Sequence, residues 1–82
     1  MTPDELLVRY PRETLRWLRG RLGLTQLAFG LHIGVSANTV VRWEAGRHGI
    51  GPTHRACIVP LLAPYLHTAA GRAWLRTLGA ET

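Results

Sequence analysis

The sequence predicts an all-α domain, a compact bundle of about five or six short helices. Apolar residues make up 46% of the 82 residues, which is enough for the core of one small domain. Residues that cap or end helices recur at short intervals along the chain. No stretch shows the sustained alternation of apolar and polar residues that is typical of a half-buried strand.

Two helices are predicted before Gly23, a residue that can end a helix. The segment TPDE at residues 2–5 has the form of a capping box with proline in the first turn, which predicts a helix over residues 3–9. Pro11 follows that helix, and a second helix is predicted over about residues 12–22, before Gly23. The apolar face of the second helix is formed by Leu15, Leu18 and Leu22.

Residues 25–46 predict two further helices separated by a tight turn. Thr25 is the expected cap of a helix over 26–32, and Gly34 supplies the positive φ that the turn needs. Ser36 is the expected cap of a helix over about 36–45, which Gly46 ends. The expected inner face of the first of these helices consists of Leu27, Phe29, Gly30 and Ile33.

The remaining residues predict a loop and two C-terminal helices. The segment RHGIGP is the loop, and a helical pattern begins at Thr53. Pro60 lies inside this pattern and is expected to kink or split the helix. The last helix is predicted over about 69–78. We interpret residues 1–82 as a single domain, in which residues 25–46 form a motif of two helices joined by a turn and residues 53–79 form the C-terminal helices.

The charge distribution indicates a polyanionic partner. All ten basic residues apart from histidine are arginine. Residues 1–13 carry a net charge of −1, whereas residues 14–80 hold eight arginines and one acid, for a net charge of +7. A genome rich in G and C would explain why the chain uses arginine in place of lysine. It would not explain why acidic residues are so few. Arginine suits phosphate and guanine because its donors form a rigid fork.

The helix predicted over 36–45 has two faces. Ser36, Val40 and Trp43 share one side of the helical wheel. The other side carries small residues around one Asn and one Arg that are four residues apart, namely Ala37, Asn38, Val41, Arg42 and Ala45. Reading of DNA through the major groove uses these types: Arg on guanine, Asn on adenine and small apolar groups on thymine methyls. The alternative is that this side is an ordinary solvent-exposed surface. For Val41, contact with a thymine methyl and simple exposure are equally supported.

Residues 15–47, LRWLRGRLGLTQLAFGLHIGVSANTVVRWEAGR, resemble the helix-turn-helix of the phage-repressor and Cro-like family, also called the xenobiotic-response-element type. The matching positions have consistent spacing and are Leu24, Thr25, Gln26, Gly34, Val35, Ser36, Trp43, Glu44 and Gly46. This chain departs from the family at Gly30, where alanine is usual, and at Ala37, often a polar base reader. We find no family pattern in residues 60–82.

The resemblance implies roles for individual residues. It places Ala37, Asn38 and Arg42 at base edges, and it implies a structural ion pair between Glu44 and Arg19. The residues assigned to DNA phosphates are Gln26, Ser36, Thr39, Arg47 and His48. The resemblance places Gln26 at a phosphate or a base. A helix N-terminus attracts anions, which favours the phosphate, and an ordinary first-turn residue is the alternative. Arg47 and His48 follow the recognition helix, and a solvated loop is the alternative for them.

Aromatic and apolar residues near the C-terminus exceed what so small a core needs. Proteins with this motif usually bind two half-sites as dimers, so we assign the C-terminal helices at 53–79 to dimerisation and Trp74, Leu75 and Leu78 to the homodimer interface. Filling of the protein's own core is the alternative. Trp43 lies on the inner side of its helix and is expected in the core rather than stacked on a base.

These patterns predict a cytoplasmic regulator that binds double-stranded DNA of specific sequence, a repressor or autoregulator on a two-fold symmetric operator. No enzymatic activity, cofactor, metal site or membrane segment is expected. His54 and Cys57 lack the second pair of ligands that a zinc site needs. The single cysteine favours the cytosol. The runner-up is a helix-turn-helix module that acts through a protein partner, such as an antitoxin. A cationic membrane binder is disfavoured because the basic residues do not gather along one helix.

Overall fold

The computed structural model describes residues 1–79 and contains six α-helices and, within those residues, no strand. The helices are α1 (Pro3–Arg9), α2 (Pro11–Leu22), α3 (Gln26–Ile33), α4 (Ala37–Glu44), α5 (Pro52–Leu66) and α6 (Ala69–Leu78). The all-α prediction is confirmed, and the predicted helix bounds agree to within one or two residues.

Side-chain caps fix the starts of four of these helices. Thr2 and Glu5 form the predicted capping box, in which each backbone N–H donates to the other residue's side chain at 3.1 Å. Thr25 accepts from the backbone N–H of the third residue of α3, and Ser36 does the same for α4. Thr68 caps α6 in the same way. Each cap satisfies a backbone donor that the helix itself leaves unpaired.

The turn between α3 and α4 depends on Gly34. Its φ of +83° lies in the left-handed region, which costs an L-residue with a side chain about 1 kcal/mol or more. The backbone N–H of Val35 then returns to the carbonyl of Gly30 at 2.8 Å. The predicted helix-turn-helix is therefore present, with Gly34 at its turn.

The core is built from five of the six helices and the loop before α5. Its buried apolar residues are Leu6, Leu7, Leu15, Leu18, Phe29, Val40, Trp43, Ile50, Ile58, Leu62 and Leu66. The radius of gyration of 11.7 Å is that of a compact chain of this length. The prediction that Leu27 faces inward is wrong, because its side chain is 58% exposed. The short α3 buries Phe29 and Gly30, as predicted, while Leu27 remains exposed.

Of the two outcomes expected for Pro60, a kink or a split of the helix after the loop, the split is wrong. Helix α5 runs unbroken from Pro52 to Leu66, with Pro60 and Pro64 inside it. Both prolines are exposed and lie one turn apart on the solvent side, where water can bond the carbonyls that they leave without a donor. Burial of the opposite face holds the helix together, through Ile58, Leu62 and Leu66.

Helix α6 packs against the bundle through a glycine and an aromatic stack. Gly71 is buried, and a Cβ there would collide with the backbone carbonyl of Tyr65. The Trp74 ring stacks on Trp17 of α2, with centroids 4.6 Å apart and planes 9° apart. Tyr65 meets Trp17 edge-on at 6.3 Å. These contacts attach α6 to both α5 and α2.

Candidate nucleic-acid interface

Close backbone contact positions α4 against α3. Gly30 is buried, and a Cβ at this residue would lie 2.6 Å from the carbonyl oxygen of Val35 and 3.2 Å from the carbonyl carbon of Ser36. Any side chain at residue 30 would therefore push the start of α4 away from α3. The two helices therefore approach too closely at this point for the Cβ of the alanine that the resemblance leads one to expect.

The inner side of α4 is buried and its outer side is exposed, as the wheel predicts. Val40, Trp43 and Glu44 are buried. Asn38, Val41, Arg42 and Ala45 are exposed, and Ala37 is half-buried. The exposed side is flat because its residues, apart from Arg42, are short. Such a helix surface can enter the major groove and bring its backbone close to base edges.

Asn38 and Arg42 are available for hydrogen bonding to a ligand. They lie one turn apart, so their side chains leave the helix on the same side. Within residues 1–79, no acidic side chain lies within 4.0 Å of Arg42. An amide and a guanidinium held on one exposed helix face can each form a bidentate pair with a purine.

Glu44 is the buried centre of a polar cluster on the inner side of α4. Its carboxylate accepts from the Arg19 guanidinium at 2.8 and 3.0 Å, and its side chain is only 4% exposed. Arg16 lies 3.9 Å away from it. Arg19 also donates to the carbonyl of Leu24 at 3.1 Å. The hydrogen bond with Glu44 raises the pKa of Arg19, although burial opposes this. Arg19 and Glu44, the ion pair that the resemblance implies, are therefore joined by two side-chain hydrogen bonds.

Gln26 belongs to the same cluster. Its side-chain amide donates to Glu44 at 3.4 Å, and the residue is half-buried at the start of α3. The sequence assigns Gln26 to a phosphate, whereas the structure directs its amide toward Glu44. At 3.4 Å this hydrogen bond is long, so a phosphate oxygen at the N-terminus of α3 can compete for the amide.

Ser36 and Thr39 are engaged with each other at the start of α4. The Ser36 hydroxyl accepts from the backbone N–H of Thr39 at 3.2 Å and lies 3.1 Å from the Thr39 hydroxyl. Ser36 is exposed and Thr39 is half-buried. A hydroxyl has one donor and two acceptor positions, so this local pairing leaves capacity for a further partner.

Arg47 and His48 are exposed just beyond the end of α4. Gly46, with φ of +75°, turns the chain there, and the Arg47 N–H donates to the Arg42 carbonyl at 3.0 Å. The side chain of Arg12 lies across this turn: a Cβ at Gly46 would be 2.7 Å from its Cδ. Sequence reasoning missed Arg12, since only the packing of α2 against α4 brings it there.

The three residues assigned to a dimer interface lie against their own chain. Trp74 stacks on Trp17, while Leu75 and Leu78 pack on the edge of the core. All three are half-buried. Part of the apolar surface that suggested a partner is therefore buried within the chain itself, and the remainder is still open to solvent.

The ring of His54 packs on Trp43, with centroids 5.4 Å apart, and Cys57 is exposed. Within residues 1–79, no group of three or more His, Cys, Asp or Glu side chains could hold a metal ion. In the same residues, no helix is both long and apolar enough to cross a membrane.

Comparison with known families assigns the chain to a family. A family model described as a helix-turn-helix domain matches residues 12–75, from α2 into α6. The match covers well over half of the chain, so the protein belongs to this helix-turn-helix family, which is of the Cro and lambda-repressor-like kind. The family match and the all-α fold indicate a DNA-binding helix-turn-helix protein. The match also includes residues 60–75, where we found no family pattern. Neither the curated proteins nor the solved structures compared with the chain gave a match.

Proposed function

We propose that the protein is a regulator that reads a specific DNA sequence with the exposed face of α4. The observation that carries this proposal is the pair Asn38 and Arg42, exposed one turn apart and surrounded by short side chains on a helix-turn-helix. Arg42 pairs with a guanine and Asn38 with an adjacent adenine, while Val41 and Ala37 pack on thymine methyls.

The contacts that hold the protein on the duplex surround this face. Arg47 and His48 lie beyond its C-terminal end, and Ser36, Thr39 and Gln26 lie near the helix N-termini. Phosphates are bound at such positions because positive side chains and helix N-termini both attract anions. These contacts provide affinity and register, but no sequence preference.

We further propose that the protein acts in the cytoplasm as a repressor or autoregulator, without catalysis or cofactor. One recognition helix covers only a few base pairs, so a homodimer on a two-fold symmetric operator provides enough specificity. The half-exposed Trp74, Leu75 and Leu78 support a dimer surface on α6. Sedimentation of the chain with and without operator tests this: a monomer in both conditions contradicts it.

The central experiment is the selection of bound duplexes from a random pool, followed by variants. Arg42→Ala should weaken binding to the selected operator by about 1–3 kcal/mol and relax preference at one base pair, most often a guanine. Asn38→Ala should relax the neighbouring position. Equal weakening of operator and scrambled duplex by Arg42→Ala would mean that α4 is not the reader.

A second candidate function is that of an antitoxin, which acts through a protein partner. Leu27 and Leu31 favour it, since they are 58% and 73% exposed and lie one turn apart on α3. Purification from the host distinguishes the two functions. An antitoxin should bring a toxin in stoichiometric amount, and Leu31→Glu should abolish this association without changing DNA binding.

A further inference from the structure

A cavity of about 450 Å³ lies between the N-terminus, the end of α5 and α6. Its apolar part includes Pro3, Leu66 and Leu75, and its polar part includes His67, Arg72 and Arg76. No residue that lines it belongs to α3 or α4. The cavity is therefore separate from the surface proposed to read DNA, although Leu75 belongs both to the cavity and to the proposed dimer surface.

The polar part of the cavity is positively charged. Arg72 and Arg76 are four residues apart on α6, so both guanidinium groups extend from the same side of the helix. Within residues 1–79, no carboxylate lies within 4.0 Å of either arginine. The acids nearest in sequence to the cavity are engaged elsewhere: Asp4 with Arg55 at 2.8 Å, and Glu5 with Thr2.

The positive charge and the apolar lining of the cavity together define a class of ligand. Cavities that bind small molecules have volumes of about 300–1,000 Å³, are mainly apolar, and use a few polar groups to orient the ligand. An inorganic anion would leave the apolar part unfilled, and a neutral hydrocarbon would leave Arg72 and Arg76 without a charge partner among residues 1–79. An anionic head group joined to an apolar chain satisfies both parts, because burial of the chain adds to charge-assisted hydrogen bonds.

We propose that this cavity binds a small anionic amphiphile, a carboxylate with an apolar chain of medium length. The carboxylate lies between Arg72 and Arg76, and the chain lies against Leu66 and Leu75. Arginine is suited to this task because its planar fork matches the two oxygens of a carboxylate.

The probe is decanoate below its micellar concentration, titrated calorimetrically into the full chain. Decan-1-ol supplies the same chain without charge, and acetate supplies the charge without a chain. We expect saturable one-to-one binding of decanoate that is tighter than that of either control. Chemical shifts of the amide groups in a nitrogen–proton NMR spectrum should change at Leu66, Leu75 and Arg76, and not along α4.

Variants separate the cavity from general positive charge. The double variant Arg72→Gln and Arg76→Gln should weaken decanoate binding about five-fold or more, because two charge-assisted bonds are lost. Arg9→Gln, at an exposed arginine outside the cavity, is the matched control and should change binding little. Thermal unfolding of each variant verifies that the fold is retained.

Three results would overturn the proposal. The first is binding of decan-1-ol as tight as that of decanoate, which would leave no role for the arginines. The second is equal weakening by the control Arg9→Gln. The third is binding to vesicles of anionic phospholipid without binding of monomeric decanoate, which would identify a membrane-surface contact instead.

Discussion

Arg19 and Glu44 join α2 to the last turn of α4 by two hydrogen bonds of 2.8 and 3.0 Å. The residues are 25 apart in the chain, and the pair lies directly beneath the exposed face that carries Arg42. A forked pair of this kind fixes both distance and direction, since two parallel bonds must be satisfied at once. It therefore fixes the direction in which α4 projects from the bundle.

Removing the charge of Glu44 should destabilise the fold. Glu44→Gln keeps the shape of the side chain but leaves the partly buried Arg19 without its carboxylate, which costs about 1–3 kcal/mol. The melting temperature should fall by about 4–8 °C for each kcal/mol lost. Sequence preference should change less, because Glu44 is buried. Glu13→Gln, at an exposed acid in α2, is the control. A stable Glu44→Gln protein with altered base preference would contradict this role.

Gly30→Ala should also destabilise the protein, although alanine favours helices. The new Cβ would lie 2.6 Å from the backbone carbonyl of Val35, and overpacking of this kind costs about 1–3 kcal/mol. The gain in helix propensity is at most about 1 kcal/mol. The free energy of unfolding, measured with urea, should therefore fall.

Gly20→Ala provides the matched control for this substitution. Gly20 lies inside α2, and no neighbouring atom outside its own helix lies within 4 Å of a Cβ built there. The same change should stabilise the protein by about 0.5–1 kcal/mol at that residue. If both substitutions stabilise, the α3–α4 crossing has room for a methyl group and is not specified by Gly30.

Arg47→Ala and Arg12→Ala should weaken binding to all duplexes about equally. Both side chains lie at the turn after α4, where the backbone of a bound duplex passes if α4 enters the major groove. Each substitution should reduce the slope of log affinity against log salt by about one. Arg72→Ala, on α6, is the control and should leave the slope unchanged. A change of base preference without a change of slope would assign these arginines to bases.

Acid should weaken the start of α1. The backbone N–H and hydroxyl of Thr2 lower the pKa of the Glu5 carboxyl below its usual value. Because the folded-state pKa is the lower one, this stabilisation is present above the unfolded-state pKa and disappears as pH falls through the folded-state pKa. Proton titration of the Glu5 side chain by NMR should give a lower pKa in the folded than in the urea-unfolded chain. Equal values would mean that the capping box does not form in solution.

The features that sequence predicts correctly are local ones. The caps Thr2, Thr25 and Ser36, and the turn at Gly34, depend on residues within three or four positions of each other, so short stretches of sequence contain the required information. The two faces of α4 follow from the helical period in the same way.

The features that sequence misses depend on contacts between distant segments. Leu27 is apolar and yet exposed, because α3 is short and its orientation is set by Phe29 and Gly30. Pro60 is tolerated because α5 happens to place it on the solvent side. Arg12 reaches the end of α4 only through tertiary packing. None of these placements can be read from neighbouring residues.

The stacking of Trp17 on Trp74 gives the protein its own optical reporter. Two nearly parallel indoles 4.6 Å apart couple electronically, so their near-ultraviolet circular dichroism should differ from that of separated rings. Trp43, the third indole, is packed in the core beside His54 and reports on the bundle itself. If the circular dichroism signal of the Trp17–Trp74 pair disappears while Trp43 remains shielded from solvent, α6 has detached from an otherwise folded domain. No attached label is needed for this measurement.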